Sequence, residues 1–281
     1  MNDTDTLFVT RRLRPTCGWV SLDVRELVRF RHLLAAFAER DVKLRYKQTL
    51  IGVAWVVLQP LLAAGIFSIV FGVIAGMRTS SGGSYFLFSF AGLLSWNIFG
   101  STLTKSALSM VGNTHLVTKV YFPRLILPLS TAASSLIDFA VPALVLLAML
   151  VVSGHAPGWP VLLTPVWAAL ALLLALGLGL IAASLTIDYR DVQYVLPLVT
   201  PFLLYASPVA YDVSHVPAQY RSLYYALNPL ASVIEGFRWS VLGTPAPQAS
   251  YLAYSAAMCA VLFVFGAAVF RRTERRVADV I

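Results

Sequence analysis

The feature that most constrains this chain is a series of long apolar windows without charged residues. From Gln48 to Met77 there is no Asp, Glu, Lys or Arg, and this window directly follows the basic stretch RDVKLRYK. A helix of roughly 20 apolar residues is long enough to cross a bilayer. In a chain that is 58% hydrophobic and only 12% charged, several such windows predict a polytopic membrane protein and exclude an ordinary soluble domain.

Six windows of this kind predict an all-α fold with six transmembrane helices. The predicted spans are Thr49–Met77, Ser84–Leu108, Phe122–Val152, Pro160–Ile187, Val192–Tyr211 and Tyr251–Phe270. No internal repeat or low-complexity linker separates them, so residues 49–270 are expected to form one transmembrane domain. Residues 1–20 are expected to be an N-terminal tail, and residues 271–281 a cytoplasmic tail.

The distribution of Lys and Arg predicts the orientation. With the N-terminus in the cytoplasm, the inner segments hold 18 of these residues and the outer segments hold 3. Since basic residues concentrate on the cytoplasmic side, both termini are expected to be cytoplasmic. The net charge of +8 then reflects membrane topology, and no nucleic-acid partner is expected.

Two shorter elements are predicted outside the spans. Residues 21–48 form an amphipathic helix whose apolar stripe includes Leu27, Phe30, Leu34 and Phe37. A basic helix before a span is typical of one lying in the cytoplasmic headgroup plane, where it contacts membrane lipids; packing on a partner protein is the alternative.

Residues 214–245 differ from the other outer segments, because they contain the apolar stretches PAQYRSLYYAL and PLASVIEGFRWSVLG. Each begins with Pro, which suits a first helical turn, and the second ends on Gly243, which suits a C-cap. Both stretches are too short to span. They predict two half-helices that re-enter the membrane or lie on its outer face.

No motif in the sequence indicates catalysis by this chain. The stretch GSTLTKS superficially resembles a P-loop, but Lys105 stands where the second glycine belongs, and the stretch lies inside a predicted span. The four histidines have no spacing that suits a metal site: His32, His115, His155 and His215. The chain is therefore predicted to be no enzyme and to bind no metal or cofactor.

Six segments occur in an order that is typical of one family: RDVKLRYKQTLIGVAWVVLQPLL, GLLSWNIFGSTLTKS, VGNTHLVTKVYFPRLILPLS, SLIDF, DYRDVQYVLPLVTPFLLYASPVAY and NPLASVIEGFRWSVLG. They resemble the ABC-2 type permeases that export polysaccharides such as O-antigen and teichoic acid. The resemblance runs from about Arg25 to Arg272.

The resemblance implies a homodimer in the inner membrane, with two copies of a separate ATPase subunit that binds ATP and Mg. The implied substrate is a polyprenyl-diphosphate-linked glycan. An ABC-2 exporter of a lipid, a lipo-oligosaccharide or a drug remains the alternative.

The resemblance also implies residues that couple the permease to its ATPase. The cytoplasmic segment 109–124 would contain a coupling helix with exposed apolar side chains, and the short inner loop DYRD would be a second contact. The residues concerned are Leu116, Val117, Lys119, Tyr121, Phe122, Arg124, Asp188, Tyr189, Arg190 and Asp191. Simple solvation of a tight turn is the alternative for the second loop.

Four cations next to the first span are candidates for a substrate entrance: Arg40, Lys43, Arg45 and Lys47. They would lie among anionic headgroups and could attract the diphosphate of a lipid carrier. Anchoring by the positive-inside rule explains the same charges.

A further set of residues is predicted to line the path or act as a gate: Trp96, Asn97, Asp138, Tyr194, Tyr205, Tyr211, Glu235 and Arg238. Asp138 is a lone carboxylate within a span, which is costly, so hydrogen bonds from Ser134 and Ser135 are expected. Glu235 and Arg238 are expected to pair on one helix face. The aromatic side chains would contact sugar rings, or they form an interfacial belt.

Overall fold

The computed structural model describes residues 28–47, 52, 54–79, 83–120, 122–154 and 158–274. These residues contain helices and no strand, which confirms the all-α fold. The α-helices are α1 (Arg31–Tyr46), α2 (Ala54–Phe67), α3 (Tyr85–Leu108), α4 (Thr114–Lys119), α5 (Ile126–Val152), α6 (Thr164–Asp188), α7 (Val192–Ala206), α8 (Ala218–Leu227), α9 (Leu230–Leu242) and α10 (Ala249–Glu274).

Five of the described helical segments are long and apolar enough to cross a membrane: Ala54–Ile74, Tyr85–Leu108, Ile126–Val152, Trp159–Asp188 and Ala249–Glu274. The first of them includes a π-helical stretch, Ser68–Ile74, after α2. The last one extends to Glu274, so the start of the predicted cytoplasmic tail is helical instead. The tails at 1–20 and 275–281 lie outside the described residues.

The fifth predicted span, Val192–Tyr211, is shorter than expected. Helix α7 has only 15 residues and leaves the helical path at Ser207, so its predicted extension to Tyr211 is wrong. Pro197 and Pro201 lie inside α7, and each lacks the N–H that an interior helical position donates. At about 1.5 Å per residue, α7 falls short of the ~30 Å hydrocarbon core.

Helix α3 is the centre of the bundle. Of its most apolar window, 83% is buried within the chain, compared with 11% for the first span. Its buried side chains contact the three neighbouring spans and α9. The first span therefore lies at the periphery, with most of its side chains facing lipid or a second protein.

Glycines allow the fourth and last spans to cross at backbone contact. A Cβ atom on Gly177 would lie 2.7 Å from the Leu262 carbonyl, and a Cβ on Gly266 would overlap the Gly177 carbonyl oxygen. Small residues at such crossings let helix backbones approach closely in membranes, where packing rather than the hydrophobic effect holds helices together.

At the end of the bundle that carries the 109–124 segment, α1 packs against the spans through a group of buried side chains that we call the inner cluster. Its members include Phe37, Met110, Val117, Phe122, Leu125, Ile126 and Phe270. The rings of Phe37 and Phe122 lie 5.6 Å apart between centroids. The apolar stripe of α1 thus faces this protein, with Phe30 and Leu34 packed beside the inner cluster. Leu27 and the rest of 21–27 lie outside the described residues.

Both half-helices are present as α8 and α9. Helix α9 ends on Gly243 with φ 65°, the left-handed C-cap that the sequence predicts. Its side chains Leu230, Val233, Ile234 and Phe237 are buried against α3 and α6. Helix α9 is therefore inserted among the spans, whereas Leu223 and Leu227 leave α8 largely exposed.

Candidate transport site

Three charged side chains meet where the last turns of α1 and α3 approach the middle of α5, and we call them the ion cluster. Lys105 Nζ donates to Asp138 Oδ2 at 2.9 Å, and Arg45 forms an ion pair with the same carboxylate oxygen. Lys105 also donates to Ser135 Oγ at 3.2 Å. Side-chain exposures of 13% for Asp138 and 20% for Lys105 mean that water shields this cluster only partly.

The ion cluster corrects the prediction that Asp138 is a lone carboxylate. Two cations neutralise it, and Ser134 instead donates to the Thr131 carbonyl at 3.0 Å. Lys105 lies in the last turn of α3, within the predicted span Ser84–Leu108. The pair could have been predicted from the sequence, because one span contains an acidic residue and the span before it has a basic residue near its end.

A cavity of about 730 Å³ opens beside the ion cluster, between α2, α3, α5 and α7. We call it the lateral cavity. Its lining includes Arg45, Trp55, Gln59, Trp96, Asn97, Ser101, Ser135, Asp138 and Thr200. Three predicted path residues, Trp96, Asn97 and Asp138, come together here with one predicted entrance cation. The cavity combines charge, hydroxyl and amide groups and indole rings in one place.

The other predicted entrance cations lie elsewhere. Arg40 Nη2 donates to Asn113 Oδ1 at 2.9 Å and pairs with Asp41 at 2.9 Å. Lys43 Nζ pairs with Glu39 at 2.6 Å, and this hydrogen bond lowers the pKa of the Glu39 carboxyl. Lys47 is exposed. Arg40 therefore joins α1 to the 109–124 segment rather than facing the cavity.

We expect the Arg40–Asn113 contact to be energetically coupled. Arg40→Gln and Asn113→Ala should each lower the thermal unfolding temperature of the purified protein. The double variant should fall by less than the sum of the two single variants, because both remove the same charge-assisted hydrogen bond, which contributes about 1.5–3 kcal/mol. Lys43→Gln combined with Asn113→Ala is the control and should be additive. Additivity for Arg40 and Asn113 would contradict the contact.

The half of the bundle that contains α8 and α9 is organised around Arg238. This side chain is only 2% exposed, and it donates to the carbonyls of Phe88 at 3.2 Å, Pro208 at 2.6 Å and Val209. Its guanidinium lies 3.6 Å from the centroid of the Phe88 ring. Arg238 thus satisfies carbonyls of the non-helical chain that follows α7.

The predicted Glu235–Arg238 pair is wrong. Glu235 Oε2 accepts a hydrogen bond from the Tyr225 hydroxyl at 2.6 Å, whereas Arg238 is bonded to backbone carbonyls. A spacing of three residues shows only that two side chains share a helix face. Because α9 is buried in the bundle, each of these two side chains has a partner outside α9. The local sequence pattern does not reveal those partners.

Hydroxyl and amide groups hold the end of α7. The Ala206 carbonyl accepts hydrogen bonds from Tyr211 at 3.2 Å, Tyr224 at 3.0 Å and Asn228 at 3.3 Å. Tyr211, predicted on the path, thus contacts the backbone of its own chain. Two other predicted path residues, Tyr194 and Tyr205, are 74% and 59% exposed on α7, and the Tyr205 ring lies 6.4 Å from the Phe67 ring of α2 between centroids.

The predicted coupling segment forms a 3₁₀ turn, Val111–Asn113, followed by α4. Val117 and Phe122 are buried in the inner cluster, and Leu116 packs beside it. Their predicted exposure is therefore wrong for Val117 and Phe122, because α1 covers them. The exposed residues of this segment are Val111, Gly112, His115, Lys119 and Val120. Tyr121 lies outside the described residues.

Arg124 fixes the end of this segment to the last helix. Its backbone N–H donates to Glu274 Oε1 at 3.0 Å, and its side chain donates to the Glu274 carbonyl. In the second inner loop the four predicted contact residues are all exposed: Asp188, Tyr189, Arg190 and Asp191. The exposed residues of the 109–124 segment follow the end of α3, and the second loop follows the end of α6.

An all-helical bundle of apolar spans around a charged cavity defines a multi-pass membrane protein of the transport type. Residues 32–242 match the family model described as ABC-2 type transporter. The chain belongs to that family, as the six quoted segments predicted.

Curated relatives are similar over nearly their whole length. The O-antigen export system permease protein RfbA of Myxococcus xanthus is 30% identical over 257 residues, which cover 91% of this chain and 98% of the relative. A protein of the same name from Klebsiella pneumoniae is 27% identical, over 89% of this chain and 95% of the relative. The polysialic acid transport protein KpsM of Escherichia coli is 28% identical, over 84% and 91%.

Proposed function

We propose that this chain is the transmembrane permease subunit of an ABC transporter that exports a polysaccharide linked to polyprenyl diphosphate. The observation that carries the proposal is the similarity to O-antigen export permeases over 98% of a relative's length. Similarity to a second glycan exporter, the polysialic acid transport protein, supports a polysaccharide over a drug or an ordinary lipid. The charges and indoles of the lateral cavity suit a glycan with an anionic lipid carrier.

The permease acts as a homodimer in the cytoplasmic membrane, with both termini in the cytoplasm. The excess of basic residues in the inner segments supports this orientation. One bundle of five described spans encloses no path for a polymer, and the exposed face of α7 supports a second copy as the other wall. That face includes Tyr194, Val195, Leu198, Phe202 and Tyr205.

Two copies of a separate ATPase subunit bind ATP and Mg and drive the permease from the cytoplasm. The exposed part of the 109–124 segment and the loop Asp188–Asp191 form the contact surface. This surface replaces the predicted one, since Val117 and Phe122 are buried. Arg40 and Arg124 hold the segment on α1 and α10, so that a movement of the ATPase is transmitted to the bundle.

Charge placed on the contact surface should stop export while leaving the fold intact. Val120 is 54% exposed, so Val120→Asp costs little stability, yet it places a carboxylate in an apolar part of the interface. We expect at least a tenfold loss of co-purified ATPase and a comparable loss of surface glycan. Val152→Asp is the control, because Val152 is 88% exposed and lies at the end of α5 that is remote from the contact surface. Unchanged ATPase binding by Val120→Asp would contradict this surface.

The proposed function is tested by deleting the gene and locating lipid-linked glycan. The expected result is loss of surface polysaccharide, with glycan accumulating on the cytoplasmic side, and rescue by the wild-type chain. Normal surface polysaccharide in the deletion strain would contradict the proposal. It would favour export of a lipid, a lipo-oligosaccharide or a drug.

A further inference from the structure

The ion cluster contains more positive charge than its own carboxylate can balance. Arg45 and Lys105 both approach Oδ2 of Asp138. A second carboxylate, Asp41 on α1, lies within electrostatic range of Lys105 but is paired with Arg40. The cluster therefore has one cation without a carboxylate of its own, and the Arg45 side chain, which is 41% exposed, is accessible to an incoming anion.

The ion cluster also has more hydrogen-bond donors than acceptors. A guanidinium and an ammonium group carry about eight N–H donors between them, whereas a carboxylate accepts about four hydrogen bonds. Ser135 accepts one from Lys105 and lies 3.3 Å from the Ser101 hydroxyl. Arg45 is part of the lining of the lateral cavity, and Lys105 lies directly behind the lining, bonded to the lining residues Ser135 and Asp138.

We propose that the lateral cavity binds a phosphate or diphosphate headgroup, with Lys105 and Arg45 as its ligands and Asp138 as the competing anion that holds them when the site is empty. The proposal rests on the proposed function, which supplies an anionic lipid carrier as substrate. An incoming phosphate takes the place of the Asp138 carboxylate on both cations. Arginine and lysine are the side chains that most often bind phosphate oxygens in this way.

The rest of the cavity suits the group that would follow the phosphate. Its volume of about 730 Å³ lies within the range of about 300–1,000 Å³ that is usual for ligand pockets. Gln59, Asn97 and Thr200 offer hydrogen-bonding groups in the lining, and Trp55 offers a half-exposed indole ring. A sugar attached to the phosphate would find both polar contacts and a stacking surface there.

Arg45 lies in the last turn of α1, whereas Lys105 and Asp138 belong to spans. Binding of a phosphate would therefore change the interaction that joins α1 to the bundle. In the empty site Asp138 joins all three helices. In the occupied site the phosphate joins the two cations and releases the carboxylate. Substrate is thereby sensed by the same helix that contacts the cytoplasmic segment through Arg40 and Asn113.

A purely structural ion cluster predicts a different set of results. If Arg45, Lys105 and Asp138 only hold helices together, removal of either sign of charge lowers stability and affects ligand binding equally. If Asp138 competes with a ligand, removal of Lys105 weakens binding whereas removal of the Asp138 charge strengthens it. The opposite signs distinguish the two accounts.

The experiment uses the purified full-length chain in nanodiscs of neutral lipid, with a short synthetic polyprenyl diphosphate as probe. Affinity is measured for the wild type, Lys105→Gln, Asp138→Asn and Arg31→Gln. The expected results are at least tenfold weaker binding for Lys105→Gln and at least threefold tighter binding for Asp138→Asn. Arg31 is an exposed cation of the same helix α1, so Arg31→Gln should stay within twofold of the wild type.

Folding is controlled by the double variant Lys105→Gln with Asp138→Asn, which removes one charge of each sign and should remain folded. Its affinity should be intermediate between those of the single variants. Equal affinities of the wild type, Lys105→Gln and Asp138→Asn would overturn the proposal, as would weaker binding by Asp138→Asn.

Two further probes identify the source of the phosphate. Equally tight binding of phosphatidylglycerol would support the anion site with ordinary phospholipid as its occupant, and equally tight binding of inorganic pyrophosphate would support it with a free anion. Both must show the same dependence on Lys105 and Asp138. Failure of the binding test in a protein that still exports glycan would overturn this site alone. A deletion strain with normal surface glycan, together with probe binding that depends on Lys105 and Asp138, would overturn the export function and leave the anion site.

Discussion

Replacement of Arg238 by leucine is expected to remove most of the folded protein from the membrane. The buried guanidinium donates to three backbone carbonyls, two of which belong to the non-helical chain at Pro208 and Val209. Leucine leaves them without those donors in a site that water does not reach. Losing a buried, hydrogen-bonded charge of this kind costs about 3–5 kcal/mol. We expect the thermal unfolding temperature of the purified protein to fall by roughly 10 °C or more.

The control for Arg238 is a second arginine that also binds carbonyls but lies near the surface. Arg221 donates to the carbonyls of Val216 and Ser214, both at 2.9 Å, and water can replace those bonds. Arg221→Leu should therefore lower the unfolding temperature by only a few degrees. Gly92→Ala tests the same site from the other side, since a Cβ atom there would overlap the Arg238 guanidinium. Equal effects of the two leucine substitutions would contradict the role assigned to Arg238.

The second large effect is expected at the crossing of α6 and α10. In Gly266→Val, the side chain would overlap the Gly177 carbonyl, and backbone cannot move aside as a flexible side chain can. The two spans must separate, which costs their contact along the crossing. We expect a loss of at least about 3 kcal/mol, measured as loss of monodisperse protein after extraction in mild detergent.

A glycine in open surroundings provides the matched control. Gly65 lies in the first span, and nothing is within 4 Å of the position of its missing Cβ. Gly65→Val should give nearly wild-type yield, because it changes neither a helix crossing nor a left-handed backbone conformation. Similar yields from Gly65→Val and Gly266→Val would contradict the close backbone crossing.

Much of the fold could be predicted because the bilayer imposes simple requirements on sequence. A span needs an apolar window of known length, so five predicted spans match helices in the structure within a few residues at most ends. The half-helices were recognisable because Pro at the start and Gly243 at the end are local signals. Helix α7 was predicted too long because its residues remain apolar beyond Ser207, although the backbone there is no longer helical.

The contacts of the candidate site were harder to predict because they join residues far apart in the chain. Asp138 was recognisable as costly, but its partners Arg45 and Lys105 come from two other helices. Hydropathy shows that Val117 and Phe122 are apolar, and it does not show whether they face a partner protein or α1. The structure decides this by placing Phe37 against Phe122.

The measurement that tests the central claim most directly is transport in a reconstituted system. The purified permease and its ATPase partner would be placed in proteoliposomes that contain a polyprenyl-diphosphate-linked glycan in the leaflet facing the ATPase. ATP should move the glycan to the opposite leaflet, where a lectin on that side can bind it. Val120→Asp should reduce the rate of this movement at least tenfold. A complex that hydrolyses ATP yet leaves the glycan in its original leaflet would contradict the account.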